Sequence, residues 1–98
     1  MTEEQKAICH KIADHYGEAF QKLKTVEEMA ELTQAILKQR TCEWSYTAFV
    51  EELADVCIML EQMLYFCEKN HGGIKYLAKT IDAKLNRQLE RMERENDG

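Results

Sequence analysis

The apolar positions of this chain fall in rows at helical spacing, and no stretch keeps the two-residue alternation of a half-buried strand. Between residues 18 and 40, Leu23, Val26, Ala30 and Leu37 make one row, while Met29, Leu32 and Ile36 spread onto a second. Between 48 and 70 the apolar set is Leu53, Val56, Cys57, Met59, Leu60, Leu64 and Phe66. Proline is absent, and the long segments are rich in Ala, Leu, Met, Glu, Lys and Gln, all good helix formers. Four helices are predicted, at about 2–16, 18–40, 48–70 and 74–94. Thr2 and Gln5 form a capping box for the first, and Gly17 can end it. Ser45 or Thr47 can cap the third, which stops at Asn70-His71-Gly72-Gly73. Residues 95–98 read as a frayed polar tail.

Short connections between long helices make antiparallel neighbours the simplest packing, so the second and third helices are expected to form a hairpin. The expected fold is all-α, a single domain over 1–98 built as a four-helix antiparallel bundle. A helix that is apolar on two sides wants partners on two sides, which favours completion by oligomerisation into a homodimer or a dimer of dimers.

Composition narrows the function classes. Hydrophobic residues make up 45% of the 98, too many for a disordered chain. No run of about 18 apolar residues spans a membrane, and the charged start MTEEQKAICHK lacks the apolar stretch of a signal peptide. Cysteines at 9, 42, 57 and 67 form no C-x-x-C pair. Cys57 and Cys67 lie within apolar helical pattern and read as small buried hydrophobes. The chain reads as cytoplasmic.

Net charge is −5, unevenly spread. Residues 1–72 hold 7 Lys/Arg against 13 Asp/Glu, net −6, whereas 73–94 hold 6 against 3, net +3. The acidic part argues against nucleic acid as a partner. The basic final helix can serve small phosphorylated ligands, though charge pattern alone favours a solvated face.

Candidate chemistry lies in Glu28-x-x-Glu31 and Glu52-x-x-Asp55. Residues three apart share a helix face, so each pair can present two carboxylates to one point. Two such helices packed antiparallel can surround a divalent ion, and hard oxygen ligands suit Mg²⁺ or Mn²⁺. A third pair, Glu90/Glu93, has Asn86 and Arg94 a turn away and looks solvated. The first two pairs sit beside apolar positions, where a carboxylate needs a partner: a cation, or a Lys or Arg in an ordinary salt-bridged bundle.

The segments KTVEEMAELTQAILKQR and FVEELADVCIMLEQM resemble the MazG-like all-α nucleoside triphosphate pyrophosphohydrolases. The signature of that family is E-x-x-E, a gap of twelve to twenty-eight residues, then E-x-x-D. Glu28 and Glu31 match the first half, Glu52 and Asp55 the second, and the gap is the 20 residues 32–51. The resemblance covers about residues 20–65 and extends to KLNRQLER in the last helix. It implies hydrolysis of an NTP or dNTP, standard or modified, to a monophosphate and pyrophosphate. Glu28, Glu31, Glu52 and Asp55 would then be the metal ligands, with Glu27 either orienting water or facing solvent. Lys84, Arg87 and Arg91 are candidates to steady developing phosphate charge, and Asn86 to contact sugar or base. Trp44 and Tyr46, in the loop between the acidic helices, can stack on a base or simply cover the bundle end. Tyr16, Phe20 and Gln21 are further base-site candidates, Phe20 doubling as a core residue.

Two rival readings remain. A di-iron carboxylate bundle needs two Glu-x-x-His motifs, and only Glu68-x-x-His71 is present, at a helix end. A non-enzymatic bundle mediating assembly would carry the same acids as solvated faces.

Overall fold

The computed structural model describes residues 1–41 and 44–97. They form α1 (Glu3–Tyr16), α2 (Glu18–Leu37) with a 3-10 turn at Lys38–Arg40, α3 (Tyr46–Asn70) and α4 (Lys75–Asp97). Among the described residues there is no strand, so the chain is all-α as expected. No helix of the described residues is long and apolar enough to cross a membrane.

The ends of the helices follow from local chemistry. The Thr2 hydroxyl accepts the Gln5 N–H at 3.0 Å, while the Gln5 side chain accepts the Thr2 N–H at 2.9 Å, closing the capping box. A single residue, Gly17, separates α1 from α2, with φ 88° and ψ 161°. Only glycine holds that backbone without strain. Ser45 caps α3 by accepting the Ala48 N–H at 3.3 Å. At the other end of α3, the His71 and Gly73 N–H groups both donate to the Cys67 carbonyl, and Gly72 and Gly73 take φ of 82° and 102°.

Side-chain pairs give the helix directions. His10 meets Glu61, and Asp14 meets Tyr65 and Lys69, so numbers rise together and α1 runs parallel to α3. Gln21 meets Gln62, and Glu31 approaches Glu52, so α2 runs antiparallel to α3, the expected hairpin.

The inner face of α2 is polar. Gln21, Thr25 and Glu28 are buried against the bundle, whereas Leu23, Val26 and Leu37 are 74%, 66% and 62% exposed. The Thr25 hydroxyl satisfies itself on the Gln21 carbonyl at 2.7 Å. The buried apolar residues are Cys9, Ala13, Val56, Met59 and Phe66, a small core for this length. Phe20, expected to double as core, is 57% exposed, because it lines an open cavity where α1, α2 and α3 meet. Cys57, read as buried, is exposed. Cys42 lies outside the described residues.

The bundle has three helices rather than four. Among the described residues α4 packs on none of the other helices and has no buried residue. Gly72 and Gly73, both at positive φ, turn the chain away from the bundle at the end of α3. The radius of gyration is accordingly 16.9 Å, against about 12.6 Å for a compact chain of this length. The α4 helix also continues through Asp97, so residues 95–97 are helical rather than frayed.

Candidate functional site

Helical spacing and the antiparallel hairpin bring three of the four signature carboxylates together. Glu28 and Glu31 lie one turn apart on α2, Glu52 faces them from α3, and one oxygen from each lies within 4.8 Å of the others. Their burial is graded: Glu28 is buried, Glu52 half-buried and Glu31 exposed. Lys24 reaches Glu28 Oε1 at 3.2 Å and Glu27 at 3.6 Å. The remaining oxygens are less well served. Glu28 Oε2 and Glu52 Oε2 are buried with no hydrogen-bond partner among the described residues. A carboxylate oxygen removed from water and left without a donor is costly, and a cation among these oxygens would relieve that cost. The donor set, all carboxylate oxygen, fits a hard divalent ion such as Mg²⁺.

The cluster perturbs its own members. The Glu28 charge first, then desolvation, then the charge of Glu52 and a hydrogen-bonding contact with it, push the Glu31 carboxyl above its ordinary 4.5. Like charges this close disfavour joint ionisation. Asp55 stands outside the three-oxygen cluster: it is exposed and lines a neighbouring cavity together with Glu27 and Glu28. Glu27 is exposed and tied to Lys24, so it borders the site while facing solvent.

Two cavities adjoin the carboxylates. The larger, about 470 Å³, runs from Glu27, Glu28 and Asp55 to Tyr16, Phe20 and Gln21. The Tyr16 and Phe20 rings stack with centroids 5.3 Å apart. At its floor, Gln21 Nε2 donates to Gln62 Oε1 at 2.7 Å, with Gln62 only 1% exposed. A smaller cavity of about 130 Å³ reaches Glu31 and Glu52 and includes Lys38, Gln34 and Ser45. The base-site candidates Tyr16, Phe20 and Gln21 are thus grouped beside the acids. Trp44 instead packs with Tyr46 and Phe49 at the start of α3, centroids 6.3 and 6.4 Å away.

The basic candidates are not brought in. Lys84, Asn86, Arg87 and Arg91 lie on α4, which packs on no other helix, so one chain does not carry them to its own carboxylates. Asn86 also falls roughly opposite Lys84 around the helix at about 100° per residue, away from the row of Arg87 and Arg91.

Sequence reasoning missed Lys24, Lys38 and Gln62. Lys24 could have been found, since it stands four residues before Glu28 on the same face. Gln62 gives no such signal, being one amide within an apolar helical pattern. It also missed a second polar cluster at the junction of the helices. Glu18 contacts Lys22 at 2.7 Å, Asn70 Nδ2 at 2.9 Å and His71 Nε2 at 2.7 Å. Lys22 first, then Asn70 and His71, hold the Glu18 carboxyl down to about 2. His71, half of the di-iron motif, therefore caps α3 and is engaged by Glu18.

Compared with family models, with curated proteins and with solved structures, the chain matches none.

Proposed function

We propose that the chain is a Mg²⁺-dependent nucleoside triphosphate pyrophosphohydrolase, cleaving an NTP or dNTP to the monophosphate and pyrophosphate. One observation carries the reading: Glu28, Glu31 and Glu52 converge from two antiparallel helices, with buried oxygens on Glu28 and Glu52 that have no hydrogen-bond partner among the described residues. Mg²⁺, or Mn²⁺, would be held by these three with Asp55 at the cavity edge, and would supply charge neutralisation at phosphate oxygens and acidification of water. The chain supplies the rest. Tyr16 and Phe20 offer a stacked aromatic wall for a base, with the Gln21–Gln62 amide pair beside it. Glu27, at the cavity mouth, would orient a water, and Lys38, which lines the smaller cavity, would give a released phosphate group a cationic neighbour. In-line attack of that water at the α-phosphorus expels pyrophosphate.

A homodimer belongs to the same proposal. The outward row Leu23, Val26 and Leu37 on α2, and the equally unpartnered α4, are apolar surface that a second copy would cover.

Glu31→Gln and Asp55→Asn test the metal assignment, since each removes a charged ligand while keeping shape. Both variants should retain parental helix content and lose Mg²⁺-dependent turnover. Parental rates in both would reject the assignment, and a parent with no turnover would favour a non-enzymatic assembly bundle.

A further inference from the structure

The α4 helix is amphipathic, and among the described residues it packs on no other helix. Ile81, Leu85, Leu89 and Met92 form a stripe along it, each 47–58% exposed. Lys84, Arg87 and Arg91 border that stripe on one side, within an arc of about 60°.

The bundle offers a matching surface. Two adjoining depressions share Ile12 and Ile58, one of about 410 Å³ between α1 and α3 and one of about 470 Å³ where α1, α2 and α3 meet. One is almost wholly apolar, with Ile8, Cys57 and Ala54, and the other ends at Glu27, Glu28 and Asp55, three carboxylates against the single Lys24. Apolar stripe and apolar trough, basic edge and acidic end, are complementary. The charge balance leans the same way, with 6 Lys/Arg against 5 Asp/Glu over α4, net +1, and −6 over 1–72.

Area points to a second copy as the occupant. A compact 11.5 kDa chain exposes about 5,800 Å², whereas this one exposes 7905 Å². The excess, about 2,100 Å² per chain or roughly 4,200 Å² per pair, is what an obligate homodimer buries.

We infer that α4 is an exchanged arm: it lies in the α1–α3 trough of a second copy, its stripe on Ile8, Ile12 and Ile58, its basic edge beside the carboxylates at the trough's end. The exchange is reciprocal, so the pair closes with two-fold symmetry. Each carboxylate site is then completed in trans by Lys84, Arg87 and Arg91. Only what that edge holds, a triphosphate, rests on the function proposed above; the docking stands apart from it.

Two experiments on the full chain separate the two claims. In the first, Ile81→Cys, Leu85→Cys and Leu89→Cys variants are mildly oxidised, with Cys57 as the trough thiol. At least one should give a covalent dimer that disappears when Cys57→Ser is added. An intrachain link, showing α4 folded onto its own bundle, would overturn the inference, as would no Cys57-dependent link in all three. The second mixes subunits carrying Glu31→Gln with subunits carrying Arg87→Ala, each expected to be at least tenfold down in turnover alone. Exchange in trans creates one intact site per mixed dimer, so co-refolding should restore about a quarter of parental activity. No restoration, with the parent active, would overturn the trans site. A Cys57-dependent dimer from a parent that hydrolyses no triphosphate would sink the proposed activity and leave the exchanged arm standing.

Discussion

Replacing Gln62 by Leu should destabilise the chain, even though it puts an apolar residue into the centre of the bundle. Gln62 is the most deeply buried large side chain, and its Oε1 accepts from Gln21 Nε2 at 2.7 Å. Gln21 is itself 4% exposed, so losing that acceptor strands a buried amide N–H. The second Gln62 contact is weak, Nε2 to Met59 Sδ at 3.9 Å, so it contributes little to the balance. A stranded buried donor costs about 1–3 kcal/mol, partly offset by the better burial of Leu. For a chain of this size the net loss corresponds to a fall in Tm of about 5–15 °C. Replacing both partners is different: Gln21→Leu with Gln62→Leu leaves no stranded group, and should recover most of the loss. Thermal melts of the parent, both single variants and the double variant, at one protein concentration, give the coupling energy directly. Additive single effects, or a Gln62→Leu melt within a degree of the parent, would refute the view that a paired amide core holds α2 on α3.

Two further perturbations follow from the electrostatics and the backbone. Glu31 has a raised carboxyl pKa in the folded chain, so folded protein binds that proton more tightly than unfolded protein. Without Mg²⁺, its contribution to stability should therefore grow as pH falls through the raised value toward 4.5, and Glu31→Gln should flatten that limb of the melting profile. Glu18 behaves oppositely: with its carboxyl held at about 2, it stabilises above 4.5 and loses that contribution as pH falls toward 2, a limb that Glu18→Gln should remove. A metal-free profile with the reverse slope at Glu31 would contradict the crowded-carboxylate geometry. Gly17→Ala meets no atom within 4 Å, yet should cost about 1–3 kcal/mol because φ 88° with ψ 161° is open only to glycine; an unchanged urea midpoint would show that α1 and α2 can be joined by another backbone.

Much of the fold was legible because it is written locally. Thr2 and Gln5, Gly17, Ser45 and the Gly72-Gly73 pair mark helix ends through hydrogen bonds within a few residues, and all behave as their types suggest. Three carboxylates were legible for a similar reason, since three-residue spacing and a hairpin bring Glu28, Glu31 and Glu52 together. What depends on tertiary choice was not. The rows Leu23-Val26-Leu37 and Ile81-Leu85-Leu89 are apolar at helical spacing, which tells that a face wants covering but not by what. The pattern of α2 read as two apolar faces, whereas α2 turns Gln21, Thr25 and Glu28 inward. That choice becomes understandable once Gln62 waits opposite Gln21 and Lys24 can reach Glu28. Asp55 shares the Glu52 face by spacing, yet it stands outside the three-oxygen cluster, at the cavity edge.

The central claim is that these carboxylates serve Mg²⁺-dependent cleavage of a triphosphate between its α- and β-phosphates. Pyrophosphate release, followed across a panel of standard and modified NTPs and dNTPs with Mg²⁺ present and then chelated, tests it most directly. Release is expected from at least one nucleotide, matched by equal monophosphate, lost on chelation and absent in Glu31→Gln. Orthophosphate as the product, release that survives chelation, or no turnover of any nucleotide would contradict it.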